Sequence, residues 1–220
     1  LLPAYIGLSL CTLAYQGYFI KYLPLLLLAL LIVIPAYGVL VVLLYYIAGA
    51  YAEEKPWQIL KNYMPVCKMA LKTRSSTAVE KHSQEAADKC SQLDPRLTKE
   101  MVPLFVQIHH CGSVLAEVFF AMMISRVLYG SVPAPGTMVI FGILLATCSL
   151  GTPGLPWGTV MVSLGTLTGI LKFGDSGVAL MFAVFALHDA FAAACNMTCD
   201  GAAQLFLIGY IKRHDLTIKN

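Results

Sequence analysis

From Leu23 to Ala48 the chain runs through Leu, Ile, Val and Tyr without one charged residue. A helix needs about 20 consecutive apolar residues to cross the hydrocarbon core of a bilayer, so this run can span it with room to tilt. Composition agrees: 58% of residues are hydrophobic and 12% are charged, about half the charge fraction of an ordinary soluble domain. Mean hydropathy is +0.73. The chain reads as an all-α multi-pass membrane protein whose partner along most of its length is the lipid bilayer, because backbone facing lipid must satisfy its own hydrogen bonds.

Charge is unevenly spread. Residues 53 to 100 hold nine of the fifteen Lys and Arg and seven of the twelve acids, which marks a polar insert between membrane blocks. Its basic residues, with Lys212, Arg213 and Lys219 in the tail, favour the cytoplasmic side, and the expected location is the cell (inner) membrane. A net charge of +3 is too small to imply nucleic acid. The seven cysteines are odd in number, and Cys11, Cys111, Cys148, Cys195 and Cys199 fall in apolar segments, where buried free thiols are expected. The chain opens on Leu without the basic start of a signal peptide, so it reads as a piece missing its amino terminus.

Leu1 to Phe19 is apolar with a break at Gln16-Gly17, and Leu23 to Ala50 is expected to be one long helix. Trp57 to Leu71 is amphipathic at helical spacing. The cluster Thr73-Arg74-Ser75-Ser76-Thr77 follows, and then a polar helix over Ala78 to Cys90. Two arms around a small, hydroxyl-rich tip suggest a re-entrant hairpin. Val102 to Leu128 is apolar but interrupted by His109-His110-Cys111-Gly112-Ser113, with Glu117 beyond; a membrane helix broken by Gly among polar groups is a discontinuous helix candidate. Thr137 to Leu171 contains Ser149-Leu150-Gly151-Thr152-Pro153-Gly154-Leu155-Pro156, and non-helical backbone at that depth requires protein or a wet cavity beside it.

Val178 to Ile211 is expected to be the last helix, carrying His188-Asp189 and Asn196-Met197-Thr198-Cys199-Asp200 in an apolar frame. Spacings of seven and four place Asp189, Asn196 and Asp200 on one face, which must look inward because a charge facing lipid costs several kcal/mol. The order hairpin, broken helix, hairpin, polar-faced helix is the same two-part unit twice. Duplicated units with interrupted helices typify alternating-access transporters.

At these residues the chain resembles the dicarboxylate/amino acid:cation symporter family, which includes the glutamate transporters, over nearly all of its length and only the carboxyl-terminal half of a full member. Residues 73–77 resemble the serine-rich first hairpin tip, residues 149–156 the second tip, and residues 196–200 the Asn-x-Thr-x-Asp run of the final helix. The resemblance implies two re-entrant hairpins in an inverted repeat. Residues 1–52 would be the end of the fifth and all of the sixth membrane helix, 53–130 the first hairpin and discontinuous seventh helix, and 131–220 the second hairpin, eighth helix and cytoplasmic tail. It further implies a homotrimer when full length, and cation-coupled symport of a small-molecule substrate, an amino acid or dicarboxylate, by an elevator motion. No cofactor is expected beyond a coupling ion, sodium or a proton.

The implied substrate residues are Arg74, Ser75, Ser76, Thr77, Ser113, Gly154, Leu155, Asp189 and Asn196, with hairpin amides on a carboxylate and Asp189 on an ammonium. Sodium would lie on Ser149, the carbonyl of Leu150, Thr152, Asn196 and Asp200. A plain turn role for the Thr152 hydroxyl is the competing reading. The chain also departs from the family. Where the seventh helix usually reads Asn-Met-Asp-Gly-Thr it has His109-His110-Cys111-Gly112-Ser113, exchanging hard oxygen donors for imidazole and thiol, although residues 108–113 resemble the Ile-His-x-x-Gly-Ser pattern of a divergent bacterial branch. Where members that carry acidic substrates place an arginine, three residues after Asp189, it has Ala192. A titrating histidine could carry a proton in place of a lost cation. His109, His110, Cys111, His188, Cys195, Cys199 and Asp200 could instead build the metal site of a membrane-embedded enzyme, and a non-transporting membrane fragment is the third reading.

Overall fold

The computed structural model describes residues 2–152 and 158–216, and every element among them is helical. In chain order these are α1 (Leu2–Tyr15), α2 (Tyr18–Ala52), α3 (Trp57–Thr73), a 3-10 turn (Thr77–Val79), α4 (Glu80–Asp88), α5 (Pro95–Ile108), α6 (Cys111–Tyr129), α7 (Pro135–Ser149), α8 (Gly158–Gly169) and α9 (Asp175–Arg213). Among the described residues three helical stretches are long and apolar enough to cross a membrane: Ile20–Ala52, Pro95–Tyr129 and Asp175–Arg213. The described residues divide into two compact units, one of residues 2–36, 113–152 and 158–189, the other of residues 37–112 and 190–216.

In the first unit, α1 and α2 are separated at Gly17, whose φ of +74 is open to glycine without penalty. The start of α2 buries Leu26, Ala29 and Val33 at helical spacing and exposes Leu27, Leu28, Leu31 and Ile32, an apolar outer face suited to lipid. Helices α7 and α8 pack side by side; α7 buries Met138, Phe141 and Leu145 and exposes Val139, Ile140 and Ile143. From Val178 to Phe185 no residue of α9 is more than 4% exposed, as for a helix apolar all round and enclosed by protein. Tyr129 accepts the Gly174 N–H at 2.9 Å, fixing the turn into α9.

In the second unit α3 buries Ile59, Tyr63, Val66 and Ala70, the inward stripe expected from its sequence. It runs to Thr73, two residues further than that pattern suggested, and stops where Arg74 turns left-handed (φ 53) while its N–H bonds Ala70 at 2.9 Å. The expected polar helix over Ala78 to Cys90 is instead the 3-10 turn followed by α4. Asp94 then caps α5, its carboxylate accepting the Arg96 N–H at 2.9 Å, and Pro95 occupies the first helical position, where its missing donor costs nothing. The hydrogen bonds and charge of Arg96 hold the Asp94 carboxyl below its ordinary range.

The core of this unit gathers Tyr45, Tyr63, Val102, Val106, Met197 and Leu205. Two polar threads cross it: the Tyr45 hydroxyl donates to the Thr198 carbonyl at 2.9 Å, and the Gln204 amide donates to the Tyr63 hydroxyl at 2.8 Å. Glycines make this packing possible. A Cβ on Gly209 would lie 2.8 Å from the backbone of Ala52, and one on Gly201 would strike the Tyr45 hydroxyl. At the helix ends Lys212 pairs with Glu54 at 2.9 Å and Arg213 with Glu53 at 3.1 Å.

Candidate functional site

The break anticipated within residues 102–128 lies at His109-His110, between α5 and α6, and α5 begins earlier than expected, at Pro95. His109 is extended (φ −92, ψ 94), so the chain leaves the helix at the two histidines and they find different partners. His109 Nδ1 meets Asp200 Oδ1 at 2.7 Å, and His110 Nε2 lies 2.9 Å from the Gln107 carbonyl. The restart of the helix is held across the core: the Gly112 N–H donates to Asn196 Oδ1 at 2.7 Å. That bond answers one of the orphan donors of a helix amino terminus.

Asn196 and Asp200 are therefore neighbours of the break, which the sequence did not reveal. Asp200 is 1% exposed. Its second oxygen is buried with no hydrogen-bond partner among the described residues, and a buried charge in that condition requires compensation. With Asp200 ionised, His109 donates from Nδ1. The pair supplies charge, and the remaining oxygen is free to take a cation or a proton.

The first tip carries Arg74, exposed, and Ser76, buried at 6%. Ser75 Oγ lies 3.0 Å from Thr77 Oγ1 and accepts the Ala78 N–H at 3.4 Å; Thr73 Oγ1 donates to the Met69 carbonyl at 3.1 Å. These are hydroxyl caps around a turn, with Ser76 directed inward. All belong to the second unit, together with His109, Asn196 and Asp200.

Ser113, Ser149, Leu150, Thr152 and Asp189 belong to the first unit. Ser113 and Asp189 are buried at 5% and 6%. At the end of α7, Ser149 Oγ donates to the Ala146 carbonyl at 2.8 Å and Thr152 Oγ1 to the Ser149 carbonyl at 2.6 Å. Both hydroxyls thus donate to local backbone carbonyls, and a hydroxyl oxygen can accept as well as donate. Leu150 is 55% exposed. Gly154 and Leu155 lie outside the described residues.

Two buried polar groups of the first unit, Glu117 and His188, stand outside the transporter roles that the resemblance implied. Glu117 is 0% exposed beside the hydroxyls of Ser163 and Thr159, and neither carboxyl oxygen makes a well-formed hydrogen bond among the described residues. His188 stacks on Phe120 at 5.0 Å and meets Phe185 edge-on at 5.1 Å. Of the seven residues that could have built a metal site, the structure pairs His109 with Asp200 and, among the described residues, gathers the thiols of Cys111, Cys195 and Cys199 within 4.8 Å of one another.

A putative sodium-dependent excitatory amino acid transporter glt-4 from Caenorhabditis elegans is 28% identical over 119 residues, covering 54% of this chain and 24% of the relative. Excitatory amino acid transporter 1 of Ambystoma tigrinum is 24% identical over 167 residues, 76% of this chain and 30% of its own. The same transporter of Rattus norvegicus is 24% identical over 174 residues, 79% and 31%. The matched part spans less than a third of each of these relatives. The model of the Sodium:dicarboxylate symporter family matches residues 1–207, and the chain belongs to that family, one of membrane transporters and not of enzymes.

Proposed function

We propose that this chain is the substrate- and ion-binding part of a secondary active transporter that couples import of an amino acid or dicarboxylate to a cation. The observation that carries the reading is the set of buried polar residues Asp189, Asn196 and Asp200 in an apolar helix of 39 residues, within a chain matched to symporters over residues 1–207. Intramembrane ionisable groups are expensive and are kept for ion and substrate paths. The relatives' names supply sodium dependence and an amino acid substrate. Family membership replaces the alternative of a membrane-embedded enzyme.

In this reading α3 with the 3-10 turn and α4 is the first re-entrant hairpin, α5 and α6 the discontinuous seventh helix, α7 and α8 the second hairpin, and α9 the eighth helix. Backbone amides around Ser75 and Ser76 take the substrate carboxylate, and Thr77 and Ser113 are further substrate residues. Asp189 takes its ammonium. Asn196 and Asp200 offer oxygens to one cation; Ser149, Leu150 and Thr152 offer theirs to another. The second hairpin, with Gly154 and Leu155, gates the outer side. The transport part slides as an elevator against the scaffold of a trimer in the cell (inner) membrane. A dicarboxylate would draw on Arg74, since Ala192 carries no charge.

The test is uptake by the full-length protein in proteoliposomes under separate sodium and proton gradients. Asp189→Asn should raise the substrate KM at least 10-fold with a smaller effect on ion affinity, and Asp200→Asn should weaken ion dependence first. Equal, mild effects of both changes would overturn these roles.

A further inference from the structure

Cys111, Cys195 and Cys199 bring their sulfur atoms within 4.8 Å of one another. None of the three is in a disulfide. Cys195 and Cys199 are four apart on α9 and so share a face; Cys111 comes from the first position of α6. A thiol cluster could be a packing accident, but this one is built by a close approach. A Cβ on Gly112 would stand 2.8 Å from Cys195 Cβ and 3.0 Å from its sulfur, and the Gly112 N–H is pinned to Asn196 at 2.7 Å. Only glycine lets the start of α6 come this near to α9, and the result is to set the Cys111 thiol against the other two, with all three sulfurs within 4.8 Å of one another.

We propose that Cys111, Cys195 and Cys199 form a binding site for one thiophilic d10 metal ion, of the Zn2+ or Cu+ class, that bridges α6 to α9. Metal–sulfur bonds of about 2.3 Å to three ligands place the sulfurs roughly 4 Å apart, so closing on a metal requires little movement. Thiolate donors select soft cations over the hard alkali ions that oxygen sites take, so this site is separate in chemistry from the oxygens of Asn196 and Asp200. Binding a divalent ion releases three thiol protons and leaves one net negative charge on the cluster. The positive end of the α6 dipole, at Cys111, favours that charge. A cavity of about 440 Å³ reaches the edge of the cluster at His109 and Cys199, giving a path to it. The bridge would tie the restart of the broken helix to the helix it packs on, and bound metal would slow transport.

The test uses the full-length protein in detergent under reductant, with Cys11, Cys67, Cys90 and Cys148 changed to Ser. Titration with Cd2+ should give one equivalent bound per chain, with the ultraviolet sulfur-to-metal absorption of three thiolates. Cys195→Ser, the smallest change, should lower Cd2+ affinity at least about 100-fold, beyond what loss of a supporting contact produces. Zn2+ and Cu+ in competition then rank the natural ion. An unchanged titration after Cys195→Ser would overturn the site. Because a variant can misfold, cadmium NMR of the protein with its native cysteines is the second measurement: a resonance in the three-sulfur range supports the proposal, and one in the oxygen and nitrogen range refutes it.

Discussion

His109→Ala should be far more damaging than an ordinary change at a helix break. It leaves Asp200, 1% exposed, without the imidazole 2.7 Å from Oδ1, and the other oxygen already lacks a hydrogen bond among the described residues. Removing one partner of a buried ion pair costs about 3–5 kcal/mol. Asp200→Asn removes the charge and keeps the shape, so by itself it should cost about 1 kcal/mol, the scale of one neutral hydrogen bond. In the double variant no buried charge remains unpaired. Its cost should fall near 2 kcal/mol, well below the sum of roughly 4–6 for the two single changes. Reversible unfolding of the purified protein in mixed micelles, read for all four members of the cycle, measures this coupling. Costs that add within about 0.5 kcal/mol would refute the pair as an energetic unit and leave its short distance without consequence.

Gly201→Ala should destabilise by about 1–3 kcal/mol through overpacking, because the new methyl strikes the Tyr45 hydroxyl; Tyr45→Phe in the same chain should recover part of the loss in a thermal melt. Gly209→Ala meets the backbone of Ala52 at 2.8 Å and should gain nothing from that second change. The Asp94 cap should depend on pH. Its carboxyl is held below the ordinary value by Arg96, so its contribution is complete above about pH 4 and is lost as pH falls through the lowered folded value. Protection of the amides in the first turn of α5, taken as exchange relative to the intrinsic rate at each pH, should therefore be constant from pH 7 to 5 and fall in stronger acid, and Asp94→Asn should abolish that fall.

Much of the architecture was legible because it follows from local rules. The uncharged stretch from Leu23 to Ala48 could only be a long apolar helix, and α2 covers it from Tyr18 to Ala52. Amphipathic spacing over Trp57 to Leu71 called for a helix with one buried face, and α3 buries Ile59, Tyr63, Val66 and Ala70. What the sequence concealed were pairings at long range. His109 and Asp200 are 91 positions apart, and Gly112 and Asn196 are 84 apart; no periodicity relates them. The departure at residues 109–113 looked like the loss of cation ligands. In the folded chain His109 instead supplies the partner that a buried Asp200 needs, and Gly112 supplies the contact that lets α6 restart against Asn196. A glycine among polar residues in an apolar helix was the readable clue, since such a position admits close backbone approach. Replacing oxygen donors by imidazole and thiol therefore changes how this region meets its charge: part of the compensation at Asp200 is built into the protein through His109, and only the second carboxylate oxygen is left without a hydrogen bond among the described residues.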